Sequence, residues 1–104
     1  MKHPSYHDDL IARLKNPKYA IGYLKATLED PSPRVFLLAL KDVIEAAGGI
    51  TKFSRQSKIP RITLYRILSK KGNPEIDTLS RLLHGLGLKL TVIQEKNPRL
   101  KHAA

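Results

Sequence analysis

The chain has 104 residues, enough for one domain, and no cysteine, which excludes a disulfide frame and a thiolate metal site. No run of about 18 apolar residues exists, and Met1-Lys2-His3-Pro4 leads into no apolar signal core, so the chain reads as soluble and cytoplasmic with no membrane partner. The net charge of +10 is uneven: residues 1–47 carry +1 and residues 48–104 carry +9.

From Thr51 to Lys71 there are seven basic residues and no acidic one. A one-sided basic segment neutralises phosphates, which is what drives nucleic-acid affinity. The plainer alternative is a solvated lysine-rich surface.

In chain order, Ser5 to Leu14 reads as a short helix capped by Ser5, with Asp8 and Asp9 in its first turns. His3, His7 and Asp8 are imaginable metal ligands. No third firm ligand converges, so a solvated terminus is expected and no metal site is assigned. Asn16-Pro17 starts a second helix with a cap and an N1 proline. Ala20, Tyr23, Leu24, Thr27 and Leu28 then form one apolar stripe, for the core or for a partner. Ser32-Pro33 repeats the same start. The helix from Arg34 to about Ala47 is apolar on more than one side (Val35, Phe36, Leu37, Leu38, Leu40, Val43, Ile44), which predicts a central helix touched from at least two directions. Gly48-Gly49 ends it.

Ile50 to Ser69 reads as two short helices joined by a tight turn. Phe53, Ile59, Leu64 and Ile67 are spaced to bury one side. Ser54 is small where the helices approach closely, and Lys58-Ile59-Pro60 is the turn, with Pro60 at the first position of the second helix. In a helix-turn-helix the second helix enters the major groove with its N-terminal residues at base edges. On that helix Arg61, Ile62, Tyr65 and Arg66 face outward or obliquely. Arg61 and Arg66 can bond guanine in a bidentate way, and Thr63 and Tyr65 suit phosphates. Ile62 either meets a thymine methyl or packs against a neighbouring helix. Lys70 and Lys71, in the turn that follows, also suit phosphates.

Asp77 is positioned to cap a last helix carrying Leu79, Leu82, Leu83 and Leu86, ended by Gly87. His84 reads as surface. Over 88–94 the period changes: Leu88, Leu90 and Val92 alternate with Lys89, Thr91 and Ile93, which predicts a strand. A lone strand leaves backbone groups unpaired, so it calls for the same strand of a second subunit or the sheet edge of another protein, unless it is merely an extended tail. Residues 95–104 read as a mobile basic tail.

The stretch GGITKFSRQSKIPRITLYRILSKKGNPEIDTLSRLLHGLGLKLTV, with NPKYAIGYLKATLED upstream, resembles the addiction-module antidotes, HigA-like antitoxins of the Cro/lambda-repressor-type helix-turn-helix group. The resemblance covers about residues 16–94. It implies a mainly all-α domain of five or six helices with one short C-terminal β-strand, preceded by an N-terminal segment over 1–15. It implies a homodimer on double-stranded operator DNA that represses its own promoter, and a RelE/ParE-like toxin partner. It assigns recognition-helix contacts to Arg61, Ile62, Thr63, Tyr65 and Arg66, and helix N-terminal phosphate contacts to Thr51 and Lys52. Three positions depart from the family pattern. Lys58 replaces the usual turn glycine at a cost of about 1 kcal/mol, Pro60 replaces a capping serine, and Ser57 replaces a buried alanine.

Two rival readings remain: a stand-alone phage- or plasmid-type regulator, and a protein-interaction module whose helix pair is structural. An enzyme is not expected, since there is no GxSxG, no phosphate-binding glycine loop and no metal-spaced His/Asp set. No cofactor is implied.

Overall fold

A computed structural model describes residues 5–69 and 71–96. Six helices follow one another: α1 Tyr6–Leu14, α2 Pro17–Thr27, α3 Pro33–Ala46, α4 Ile50–Ser57, α5 Arg61–Ile67 and α6 Ile76–Gly85. The fold is all-helical among the described residues.

The first three helices begin where a side chain satisfies an orphan N–H. Ser5 Oγ accepts from the Asp8 N–H at 2.9 Å, Asn16 Oδ1 from the Lys18 N–H at 2.9 Å, and Ser32 Oγ from the Arg34 N–H at 3.3 Å. Pro17 and Pro33 occupy first-turn positions, where a missing N–H costs nothing.

α3 is the centre of the N-terminal half. It packs against α1, α2 and α4, and buries Phe36, Leu37, Ala39, Leu40, Val43 and Ile44. Leu38 points away and stays 45% exposed. Leu14 of α1 enters the same core, so α1 is built into the helical body. Of the α2 stripe, Ala20 and Leu24 are buried and Tyr23 and Thr27 half-buried. Leu28 is exposed because it is the C-cap, where the stripe leaves the core.

Gly48 and Gly49 both take positive φ, 116° and 97°, turning the chain sharply from α3 into α4. α4 then packs against α3, α5 and α6, with Phe53 buried among them. α6 lies close on α4 at Gly85, where a Cβ would come within 3.1 Å of the Phe53 ring and of Ser57. Leu82 and Leu83 complete the buried face.

Three local expectations are corrected. Pro60 is the N-cap of α5 rather than its first residue, with φ −58° and ψ 144°, and it supplies no capping bond. The N-cap position of α6 is Glu75, two residues earlier than Asp77, and its side chain makes no capping bond. Asp77 lies inside the helix, and its carboxylate accepts from the adjacent Thr78 N–H. Residues 88–95 form no strand ladder, because no second strand exists among the described residues to pair with them.

Candidate functional site

The geometry of the basic half is set by the turn between α4 and α5. Lys58 is left-handed, with φ 62° and ψ 24°, and is the one non-glycine residue at positive φ among those described. Its N–H closes α4 on the Ser54 carbonyl at 2.9 Å. Ser54 Oγ then donates to the Ile59 carbonyl at 2.6 Å, tying helix to turn across the close approach. Ile59, 1% exposed, anchors the turn in the core. Arg81 of α6 reaches the Lys58 carbonyl with a long contact of 3.5 Å.

This turn presents α5 with its apolar side inward. Leu64 and Ile67 are buried, Thr63 is half-buried, and Arg61, Ile62, Tyr65 and Arg66 are exposed. Ile62 is 74% exposed and Tyr65 56% exposed, so packing of Ile62 against a neighbouring helix is ruled out as its role. An aliphatic side chain held in water at the start of a helix gains nothing for the fold.

Two of the residues singled out from the sequence are in direct contact. The Arg61 guanidinium donates from Nη1 to Thr51 Oγ1 at 3.1 Å, linking the first turn of α5 to the first turn of α4. Lys52, beside Thr51, is exposed, with its aliphatic stem folded over Gly48. Lys70 lies outside the described residues. The contact set expected from the sequence therefore divides into a Thr51–Arg61 pair, an outward α5 row and a neighbouring lysine.

The electrostatics are one-sided. Among the described residues Arg13 pairs with Asp9 and His7 contacts Glu45, both in the N-terminal half. Lys52, Arg55, Lys58, Arg61 and Arg66 face no carboxylate there. Their positive charge is left for solvent or an anion.

Arg81 was not apparent as part of this surface from the sequence. It comes from a helix read only for its leucines, and its place at the Lys58 turn depends on how α6 packs on α4. A second cluster was also missed. His7 Nε2 lies 3.2 Å from both oxygens of Glu45, and Asp42 lies beside them, so that one ligand-type atom from each falls within 4.8 Å. Sequence separation concealed it, since His7 lies on α1 and the carboxylates on α3. These groups are already engaged: His7 with Glu45, and Asp42 with the Tyr23 hydroxyl at 2.9 Å. They tie α1 and α2 to α3. Burial, and then the bond to Asp42, push the Tyr23 phenol up to about 12.

Over residues 6–94 the chain matches the family described as "probable addiction module antidote protein", and it belongs to that family. An uncharacterized protein of Haemophilus influenzae is 31% identical over 74 residues, covering 71% of this chain and 75% of that one. No solved structure matches the chain. Membership carries the expectation of a toxin partner of some kind. No described helix is long and apolar enough to cross a membrane.

Proposed function

We propose that this protein is the antitoxin of a toxin–antitoxin module, and that α4 and α5 form a Cro/lambda-type helix-turn-helix that binds operator DNA. In this reading α5 lies in the major groove. Arg61 and Arg66 hydrogen-bond base edges, Ile62 meets a thymine methyl, and Thr63 and Tyr65 contact phosphate. Thr51, Lys52 and Lys70 hold register on the backbone. A homodimer would read two half-sites about 34 Å apart and repress the pair's own promoter. A RelE/ParE-like toxin is the proposed protein partner.

The observation that carries the DNA reading is the outward α5 row, with Ile62 74% exposed between arginines that have no carboxylate partner among the described residues. The support lies in the row as a whole, since an isoleucine exposed by itself is ordinary and Ile76 is as exposed at 75%. The Thr51–Arg61 contact supports the same reading, because it limits the rotamers of the arginine before DNA arrives.

A gel shift at about 0.15 M salt tests it, where weak non-specific binding is suppressed. The probe is the DNA flanking the protein's own gene, with scrambled competitor and an Arg61→Ala/Arg66→Ala control. A discrete, competitor-resistant band that the double variant loses is expected. A smear that disappears with salt and ignores the substitutions would leave only a generic basic surface.

A further inference from the structure

Three helices bring polar side chains to one spot, away from the basic half. Asp42 and Glu45 are three residues apart on α3, which sets both carboxylates on one face of that helix. α1 packs on α3 and carries His7 to them, with Nε2 at 3.2 Å from each oxygen of Glu45. One ligand-type atom from each of His7, Asp42 and Glu45 lies within 4.8 Å of the others. From α2, the Tyr23 hydroxyl donates to Asp42 Oδ2 at 2.9 Å. His7 therefore finds its carboxylates on α3, not at Asp8 beside it in the sequence.

The charges there call for a cation. The chain has 19 lysines and arginines against 9 acidic residues, yet among the described residues neither Asp42 nor Glu45 is paired with one. Two carboxylates held side by side repel each other, and a shared cation removes the repulsion. The imidazole decides which cation. Calcium and magnesium take oxygen ligands, whereas imidazole nitrogen together with carboxylate oxygen suits a first-row divalent metal.

We propose that His7, Asp42 and Glu45 bind one zinc ion, with water completing a tetrahedral set. Zinc takes imidazole nitrogen and carboxylate oxygen at about 2.0–2.2 Å, so two ligand atoms of a tetrahedral site stand about 3.4 Å apart. His7 and Glu45 already have that spacing, at 3.2 Å. Asp42 closes the remaining gap by side-chain rotation, since no ligand atom is more than 4.8 Å from another. Tyr23 orients Asp42 from behind, as hydrogen-bonding partners of metal-bound carboxylates do, and its bond to Oδ2 leaves Oδ1 for the ion. Two carboxylates and a neutral imidazole cancel the double charge of zinc. His7 and Glu45 are exposed, so the ion enters from solvent without opening the fold. Once bound, it joins α1 to α3 through metal bonds in place of the exposed His7–Glu45 contact. None of these residues belongs to the DNA reading, so the two proposals stand or fall separately.

Isothermal titration of the metal-free full chain with zinc chloride tests this. One ion per chain is expected. His7→Ala, Asp42→Asn and Glu45→Gln should each weaken binding roughly tenfold or more, and Tyr23→Phe, which removes only the orienting bond, about tenfold. His84→Ala should bind as the wild type does. Helical circular dichroism checks that each variant is folded. In the NMR spectrum of the wild-type chain, which depends on no variant, zinc should move the His7 imidazole signals and leave those of His84 in place.

Absence of zinc binding, binding that Asp42→Asn and Glu45→Gln leave unchanged, or a zinc-saturated spectrum in which the His7 signals have not moved would each overturn the proposal.

Discussion

Lys58 sits in a backbone conformation that only glycine adopts without strain, and replacing it isolates that cost. At φ 62° the Cβ crowds the backbone, worth roughly 1–2 kcal/mol. Lys58→Gly relieves this, while the greater freedom of glycine in the unfolded chain takes back roughly 0.5–1 kcal/mol. The expected net gain is therefore centred on about 0.75 kcal/mol, within a range of about 0–1.5 kcal/mol. Little else changes: the side chain is exposed, and the hydrogen bonds at this residue are made by its backbone, the N–H to Ser54 and the carbonyl from Arg81. For a domain of this size that gain corresponds to a rise in Tm of roughly 3–6 °C. Lys58→Ala is the necessary comparison, because it removes the same side chain and keeps the strain. Thermal unfolding followed by circular dichroism, with two-state behaviour checked, separates the variants. If Lys58→Gly were no more stable than Lys58→Ala, the left-handed turn would not be a source of strain.

Tyr23 gives a prediction in pH. Its phenol is held up at about 12, against an ordinary value near 10, so between these pH values the folded chain keeps a proton that the unfolded chain has lost. The stability it contributes is present in full below about pH 10 and falls as pH rises toward 12. In urea denaturation, wild type should lose stability more steeply across that window than Tyr23→Phe, and equal slopes would contradict the assignment. Ser54→Ala removes the bond to the Ile59 carbonyl and should cost about 1–2 kcal/mol in the same assay, since the acceptor sits at a buried turn. Arg61→Ala should weaken binding to the cognate site by about 1–3 kcal/mol in fluorescence anisotropy and relax preference at one base position. An equal loss on random DNA would make Arg61 a phosphate contact.

The helices were legible from the sequence because their punctuation is local. Ser5, Asn16-Pro17, Ser32-Pro33 and Gly48-Gly49 each act through hydrogen bonds or φ values within a few residues of themselves. The central place of α3 followed from an apolar surface too broad for one neighbour. The strain at Lys58 was expected only through the resemblance, whose pattern has glycine at that turn position, since nothing local in Lys58-Ile59-Pro60 announces a left-handed residue. Legibility failed at the ends of elements and across the chain. Asp77 resembles a cap by composition, but the helix had already started after Glu75, so another position took that role. Alternation over 88–94 records what the side chains favour, whereas a ladder needs a second strand, which the described chain does not supply. The Tyr23–Asp42 bond, the His7–Glu45 pair and the reach of Arg81 to the Lys58 turn depend on tertiary packing, and no spacing in the sequence announces them. In the candidate site, the basic character of Thr51–Lys71 could be read directly. The Thr51–Arg61 contact and the exposure of Ile62 could not, because both depend on the angle at which α5 leaves the turn.

Whether the α4–α5 unit reads a two-fold DNA site is decided by footprinting the DNA flanking the gene at about 0.15 M salt. Two protected half-sites with centres about 34 Å apart are expected, both lost in Arg61→Ala/Arg66→Ala. Uniform protection along the probe, or a footprint that survives the double substitution, would contradict it.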